Sequence, residues 1–294
     1  MSRRSWTLLL AIAALWGSSY YFIKIALEDI SPAAVVCFRC ALGALALLPL
    51  AVRRDALAPL RGRMRDVLLL AVVQVAVPFV LISLGEQHIS SSLAGILVAA
   101  VPVWTALLAP LLDREESLGA TGALGVGVGI AGVALILGLD VGAESAGLVG
   151  AAMVLGASLC YALSGFLLKR RLSGLPAIGV VTATMIASTV YLAPAALLSL
   201  PSHAPGLDTL GALAVLGVGS SGIAFVFFYL LISDAGPARA ALVTYVAPAF
   251  AVVYGVTLLD ESFTLGTAAG LVLIVAGSWI AVEGRRFARP PAPA

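Results

Sequence analysis

Few residues in this chain have the type and spacing to make or break bonds. The two histidines, His88 and His203, are far apart, and no His-Glu-x-x-His or comparable metal-ligand grouping occurs. Cys37-x-x-Cys40 has the spacing of a redox or metal pair. It lies in an apolar run without a second pair, where small hydrophobic packing is the better account. Gly125-x-Gly127-x-Gly129 lacks the preceding strand that a phosphate-binding loop needs. No metal, cofactor or nucleotide site is expected, and with them enzymatic chemistry drops out. What remains is a set of polar and aromatic residues inside apolar runs: Trp16, Gln74, Trp104, Tyr161, Ser220, Thr244 and Tyr245. Polar groups in hydrocarbon are costly, so each is a candidate contact for a small-molecule substrate. Aromatic walls with a few hydrogen-bonding groups are the usual make-up of such a pocket, and their chemistry is recognition.

The elements that must position these residues are membrane spans. The chain of 294 residues is 61% hydrophobic and 11% charged, with a mean hydropathy of +1.10, far from a soluble domain. A helix needs about 20 apolar residues to cross the hydrocarbon. Ten such runs are present, near 5–27, 32–52, 66–86, 89–112, 117–138, 146–169, 176–200, 208–232, 236–259 and 264–283. With the N-terminus in the cytoplasm, fifteen of the seventeen basic residues fall inside, Lys24 and Arg39 being the exceptions. Both termini are then cytoplasmic. Dispersal of the basic residues and a net charge of +2 argue against a nucleic-acid partner. Arg3-Arg4 before an apolar run could open a signal peptide, but the run continues through Ile25 and Trp16-Gly17-Ser18-Ser19 is no cleavage site. It reads as a first span.

The halves repeat one another. VPVWTALLAPLLDREESLG aligns with APAFAVVYGVTLLDESFTLG, matching Pro102 to Pro248, and LWGSSYYFIK aligns with CYALSGFLLK, matching Trp16 to Tyr161. Gln74 answers to Ser220. Each copy holds five spans, so the copies cross the membrane in opposite directions. Inverted repeats of this kind are the architecture of secondary transporters, which bind substrate near the midplane between the halves. The boundaries expected are 1–142 and 143–294. A proline inside a helix removes a hydrogen bond and kinks it, so the repeat-related Pro102 and Pro248 are candidate hinges, or static kinks that aid packing.

Charge within the spans is scarce. Arg39 lies about two turns below the outer end of the second span and needs a partner; Glu86 is the first choice, then Glu28 or Asp29. Structurally it closes an ion pair or meets lipid phosphate; functionally it takes a substrate carboxylate. His88 could couple protons or merely occupy a loop. The glycines of the fifth span, Gly125 and Gly129 among them, form a small-residue face for packing within one subunit or for a homodimer contact. Monomer and homodimer both fit.

At this point the chain resembles the EamA branch of the drug/metabolite transporter superfamily. The likeness spans both halves and is most specific from Phe227 to Ile280, with Tyr229, Ala240-Ala241, Pro248, Glu261, Gly266, Gly270 and Gly277 where that family's repeat places them. The first copy matches through Pro32, Arg39, the Ser90–Ala94 run and Pro102, and departs at Arg114, which stands opposite Glu261. The resemblance implies an all-α integral membrane protein with ten helices in two inverted five-helix repeats. It implies a central cavity among the first, third, fourth, sixth, eighth and ninth helices, and export of amino acids or related metabolites. Exporters of drugs or other metabolites share the scaffold, and a non-transport multi-pass protein such as a scramblase is the outlying alternative. With no nucleotide site, the energy source is an ion gradient or the substrate's own.

Overall fold

The computed structural model describes residues 1–112, 119–141 and 145–287. Among these, all regular structure is helical. Nine helices are long and apolar enough to cross a bilayer: α1 (Arg3–Ala26), α2 (Pro32–Arg53), α3 (Ala58–Gly85), α4 (Ser91–Leu112), α5 (Ala120–Leu139), α6 (Ser145–Arg171), α7 (Ala177–Leu198), α8 (Leu207–Ala235) and α10 (Leu265–Phe287). The tenth span, α9 (Val243–Leu258), is shorter and follows the helical turn Pro237–Ala240. Asp113, Arg114 and Glu115 lie outside the described residues.

Local chemistry sets the boundaries. Ser2, Ser31 and Ser90 cap α1, α2 and α4 by accepting from the amides of Ser5, Ala34 and Leu93. Pro32 follows Ser31 at the first helical position, where its missing amide costs nothing. α3 starts earlier than its hydropathy indicates, through a 3₁₀ segment at Ala58–Arg63 that buries Leu60. Arg61 and Arg63 therefore sit on helix rather than loop. Inside the spans the helical ladder changes at few places. α3 and α8 each contain a π-helical stretch, Ala71–Ala76 and Val215–Ile223. These stretches enclose Gln74 and Ser220, so they are repeat-related. Another π turn, Leu137–Val141, ends α5. α4 is broken at Ala99–Ala100, two to three residues before its first proline, whereas α9 runs through Pro248 without a break.

The packing repeats with the sequence. α1 packs on α8 and α9, and α6 packs on α3 and α4; α2 meets α8 as α7 meets α3. The pairs α2–α7 and α5–α10 face each other across the pseudo-twofold axis. The α5–α10 contact is a glycine seam. A side chain at Gly125 would strike the backbone of Gly277 and Ala281, and one at Gly277 the backbone of Gly125 and Gly129. Such close backbone approach supplies the dispersion contacts that stand in for a hydrophobic drive in lipid. The face that could have served a homodimer is filled by a helix of the same chain.

The two ends of the bundle differ. Call the end bearing Arg3 and Phe287 the terminal face and the other the distal face. In the distal half, two buried clusters reach across both repeats, and Tyr20 of α1 and Val98 of α4 pack against both. In the terminal half the core falls into more clusters: Leu9, Ile12, Leu231 and Val243 join α1, α8 and α9; Leu60, Leu70 and Val180 join α3 and α7; Leu47, Ala51 and Ile178 join α2 and α7, with Leu57 packed against both of these last two; and Val103, Val126 and Ala281 join α4, α5 and α10. Terminal-face ion pairs join α1 to α8 and α6 to α3, Arg4–Asp234 at 3.3 Å and Arg171–Asp66 at 3.3 Å.

The glycine seam carries a prediction. Gly277→Leu should cost roughly 1–3 kcal/mol or prevent folding, by overpacking. Gly127→Leu, on the same helix as Gly125 but with nothing near its Cβ position, should be close to neutral. Thermal unfolding in detergent reads both.

Candidate functional site

The centre of the bundle is organised by the π stretch of α8. Ser220 and Ser221 point to different neighbours there. The Trp16 indole Nε1 donates to the Ser220 carbonyl at 3.2 Å, and the Ser220 hydroxyl donates to the Leu15 carbonyl at 2.7 Å. Trp16 also lies against Phe225 and Phe228, with ring centroids 5.8 and 5.3 Å away. Ser221 accepts from Arg39 Nε at 3.0 Å, and the Arg39 guanidinium rests 4.0 Å above the Phe79 ring. A π turn suits this double duty. Its extra residue rotates one side chain out of register with its helix.

The second repeat-related pair is less symmetrical. Gln74 is half-buried in the π stretch of α3, where Ser188 of α7 donates to the Ala71 carbonyl at 3.2 Å. Pro78 follows four residues after Gln74 and has no amide for the Gln74 carbonyl, the ordinary reason for a helix to widen at such a point. Tyr161 packs with α1 and α2 residues in the distal core. Trp104 reaches α6, its Nε1 donating to Ser158 Oγ at 2.8 Å.

Trp16, Trp104, Tyr161 and Ser220 are therefore set around the interior of one bundle, with Gln74 half-buried at the depth that matches Ser220. Thr244 and Tyr245 are set apart from them. The Thr244 side chain is exposed and its hydroxyl returns to the Ala241 carbonyl, and Tyr245 faces Trp279 at 6.3 Å in a lateral groove between α9 and α10. One turn before Pro248 is the wrong side of α9 for the centre.

The expected ion pair of Arg39 with Glu86 does not form. Arg39 uses Ser221 and Phe79, Asp29 is engaged elsewhere, and Glu28 is exposed. A serine and an aromatic face, contributed by α8 and α3, were not readable as partners. Glu86 is fully buried at the distal end of α3, and neither carboxylate oxygen has a hydrogen-bond partner. The neighbouring charges are committed to backbone. Lys24 donates to the carbonyls of Glu86 and Ile89, at the helix end where a cation is favoured. Glu261 accepts from the Ser91 and Ser92 amides at 2.7 and 2.9 Å and from the Ser92 hydroxyl, clamping the N-terminus of α4 to the α9–α10 connection. Gly255 makes that clamp possible, because a Cβ there would collide with Ser92 and Glu261.

A similar clamp ties the first connection to α8. Asp29 accepts from the Thr209 hydroxyl at 2.7 Å and the Gly206 amide at 2.8 Å. These two hydrogen bonds, the Thr209 hydroxyl foremost, hold its carboxyl below the usual carboxylate range. The sign follows: the ionised form is favoured in the folded state, so the contact stabilises at neutral pH and is lost as pH falls through the lowered value. The native protein should therefore unfold at a higher temperature than Asp29→Asn near neutrality, with the gap closing below the ordinary carboxylate value of about 3.9. A gap independent of pH would mean that the charge is not what holds the clamp.

An all-helical bundle of two inverted repeats, with polar and aromatic side chains around its middle and irregular backbone at repeat-related depths, defines a membrane carrier. The sequence profile of the EamA-like transporter family matches residues 4–138 and 148–282. The chain belongs to that family, whose members are transporters and not enzymes. It is 30% identical over 267 residues to "Uncharacterized inner membrane transporter YedA" of Escherichia coli, covering 87% of this chain and 83% of that one. It is 28% identical over 273 residues to the "Probable terminal-alkyne amino-acid exporter" of Streptantibioticus cattleyicolor, covering 89% and 87%. A solved structure shares the fold with a TM-score of 0.69 at 18% identity, over 98% of this chain and 100% of that one.

Proposed function

We propose that the protein is a secondary carrier that exports small amphipathic metabolites, amino acids foremost, from the cytoplasm by alternating access. Its site is the group Trp16, Gln74, Trp104, Tyr161 and Ser220, at the interface of repeats 1–142 and 143–294. The observation that carries the reading is the pair of repeat-related π stretches at the middle of α3 and α8, one holding half-buried Gln74 and the other buried Ser220. Irregular backbone at membrane depth is tolerated only where protein or an internal cavity surrounds it, and carriers use it to bind substrate. Support for amino acids comes from the Streptantibioticus relative's name, and for an inner-membrane location from the Escherichia coli relative's. The terminal face carries the arginine excess, which supports a cytoplasmic side for both termini. A sealed distal half and a terminal half split into more clusters then describe an arrangement closed to the outside. Bending at Pro102 and Pro248 would let the distal halves of α4 and α9 part.

The test is flux of labelled amino acids in proteoliposomes, with and without an imposed proton gradient. Saturable flux of neutral amino acids is expected, falling about tenfold in Trp16→Ala through the loss of one aromatic contact and one hydrogen bond. Gradient-insensitive flux marks a facilitator; folded protein with no amino-acid flux turns the reading to drugs or other metabolites. Pro248→Ala should slow flux while leaving the unfolding temperature close to native, because the restored hydrogen bond to the Thr244 carbonyl stiffens α9. Unchanged flux would remove the hinge.

A further inference from the structure

An arginine and a carboxyl group are buried in this bundle, and neither has its full complement of partners. Arg39 is 7% exposed and Glu86 0%. Residues of these types are almost never so buried without a partner, because a lone charge out of water is costly. Arg39 spends only Nε, on Ser221; its two terminal amino groups donate no hydrogen bond among the described residues, and its face lies on Phe79. Glu86 has both oxygens unpartnered. The other charges within electrostatic reach of Glu86 are Lys24 and Glu261, and both are bound to backbone. Tyr20 lies within reach of Glu86, Arg39 and Tyr161 together. So the arginine and the carboxylate share one neighbourhood without touching.

Spacing and surroundings say what could come between them. Phe79, which carries the guanidinium, and Glu86 are seven residues apart on α3, about 10 Å of helix rise. Seven residues are close to two full turns, so Phe79 and Glu86 lie along one face of that helix. The arginine's free amino groups match the paired oxygens of a carboxylate, and an unpartnered carboxylate matches an ammonium. Phe225 packs in the same cluster as Phe79, which carries the guanidinium, and it also lies against Trp16, so the surroundings of Arg39 on that side are apolar and aromatic.

We propose that Arg39 and Glu86 are the two ends of a zwitterion site, Arg39 binding the carboxylate and Glu86 the ammonium of a neutral amino acid with an apolar side chain. The proposal rests on the amino-acid reading above and gives that reading its atoms. The substrate completes an ion pair that the protein leaves open, which explains why both charges are retained in hydrocarbon.

The test compares three ligands by calorimetry on the full-length protein in lipid nanodiscs: L-phenylalanine, phenethylamine with the ammonium alone, and 3-phenylpropionate with the carboxylate alone. If the flux assay selects another neutral amino acid, that compound with its decarboxylated and deaminated analogues replaces them. Native protein should bind the zwitterion roughly tenfold to a hundredfold more tightly than either analogue. Glu86→Gln should abolish the preference over 3-phenylpropionate and keep that over phenethylamine; Arg39→Gln should do the reverse. This crosswise pattern is one that a merely structural role would not produce. Should either variant fail to unfold cooperatively, Glu86→Asp and Arg39→Lys take their places, and the native comparison stands alone. Absence of a zwitterion preference in native protein, or equal weakening of all three ligands in both variants, overturns the site while amino-acid flux leaves the function standing. Loss of amino-acid flux and binding altogether in folded native protein overturns both.

Discussion

Hydrocarbon offers a backbone nothing to hydrogen-bond, and that single constraint shapes this molecule. Every span must satisfy its own amides and carbonyls, so any break in the ladder needs a donor or acceptor from a neighbour. Three of the breaks have one from another helix. At the π stretch of α3 the Ala71 carbonyl accepts from Ser188 of α7; at the interruption of α4 the Ala99 carbonyl accepts from Ser278 of α10; at the π stretch of α8 the Ser220 carbonyl accepts from the Trp16 indole of α1. The polar side chains of the interior are thus largely committed to holding irregular backbone open. Of the residues proposed to meet a substrate, Trp16 is the one doing so, which couples its position to the geometry of α8.

The same constraint assigns different work to different helices. Where backbones can approach closely, as along the α5–α10 seam, dispersion between unbroken ladders holds the pair without polar groups. Where the ladders are broken, contact is made through hydroxyls, an indole and carboxylates at helix N-termini. Such contacts are directional and few, so they can be exchanged as units. The distal clamps at Asp29 and Glu261 are of this second kind, each fastening a helix start to a connection from the other repeat. A bundle with a fixed seam and a clasped end is one that can part at the clasp.

How much of this was legible in the sequence follows from range. The spans, their inversion and the depth of Gln74 and Ser220 come from hydropathy and self-alignment, which are properties of the chain read along its length. Among the described residues the structure contains nine helices long enough to cross a membrane and the shorter α9, in two inverted repeats. The tandem Ser220-Ser221 and the four-residue spacing of Gln74 to Pro78 were also there to be seen as signs of a widened turn. The partner of Arg39 was not. Coulomb reasoning ranked carboxylates by depth and named Glu86, whereas the guanidinium found a hydroxyl and a ring that only the fold brings near. Thr244 and Tyr245 failed as central residues for a rotational reason: depth along α9 was readable, but the face they present depends on which neighbours flank it.

The two repeats agree in scaffold and disagree in charge. Trp16 answers to Tyr161 and Gln74 to Ser220, so aromatic and polar character is kept at matching depth. The positions of α7 that align with Arg39, Thr184 and Met185, are neutral, and the residue of α8 that aligns with Glu86 is Ile232. A symmetric frame suits two states of similar energy, since each half can adopt the conformation of the other. A symmetric site would not orient an asymmetric ligand. Placing both buried charges in one repeat leaves the frame free to alternate while giving whatever lies between them a single direction.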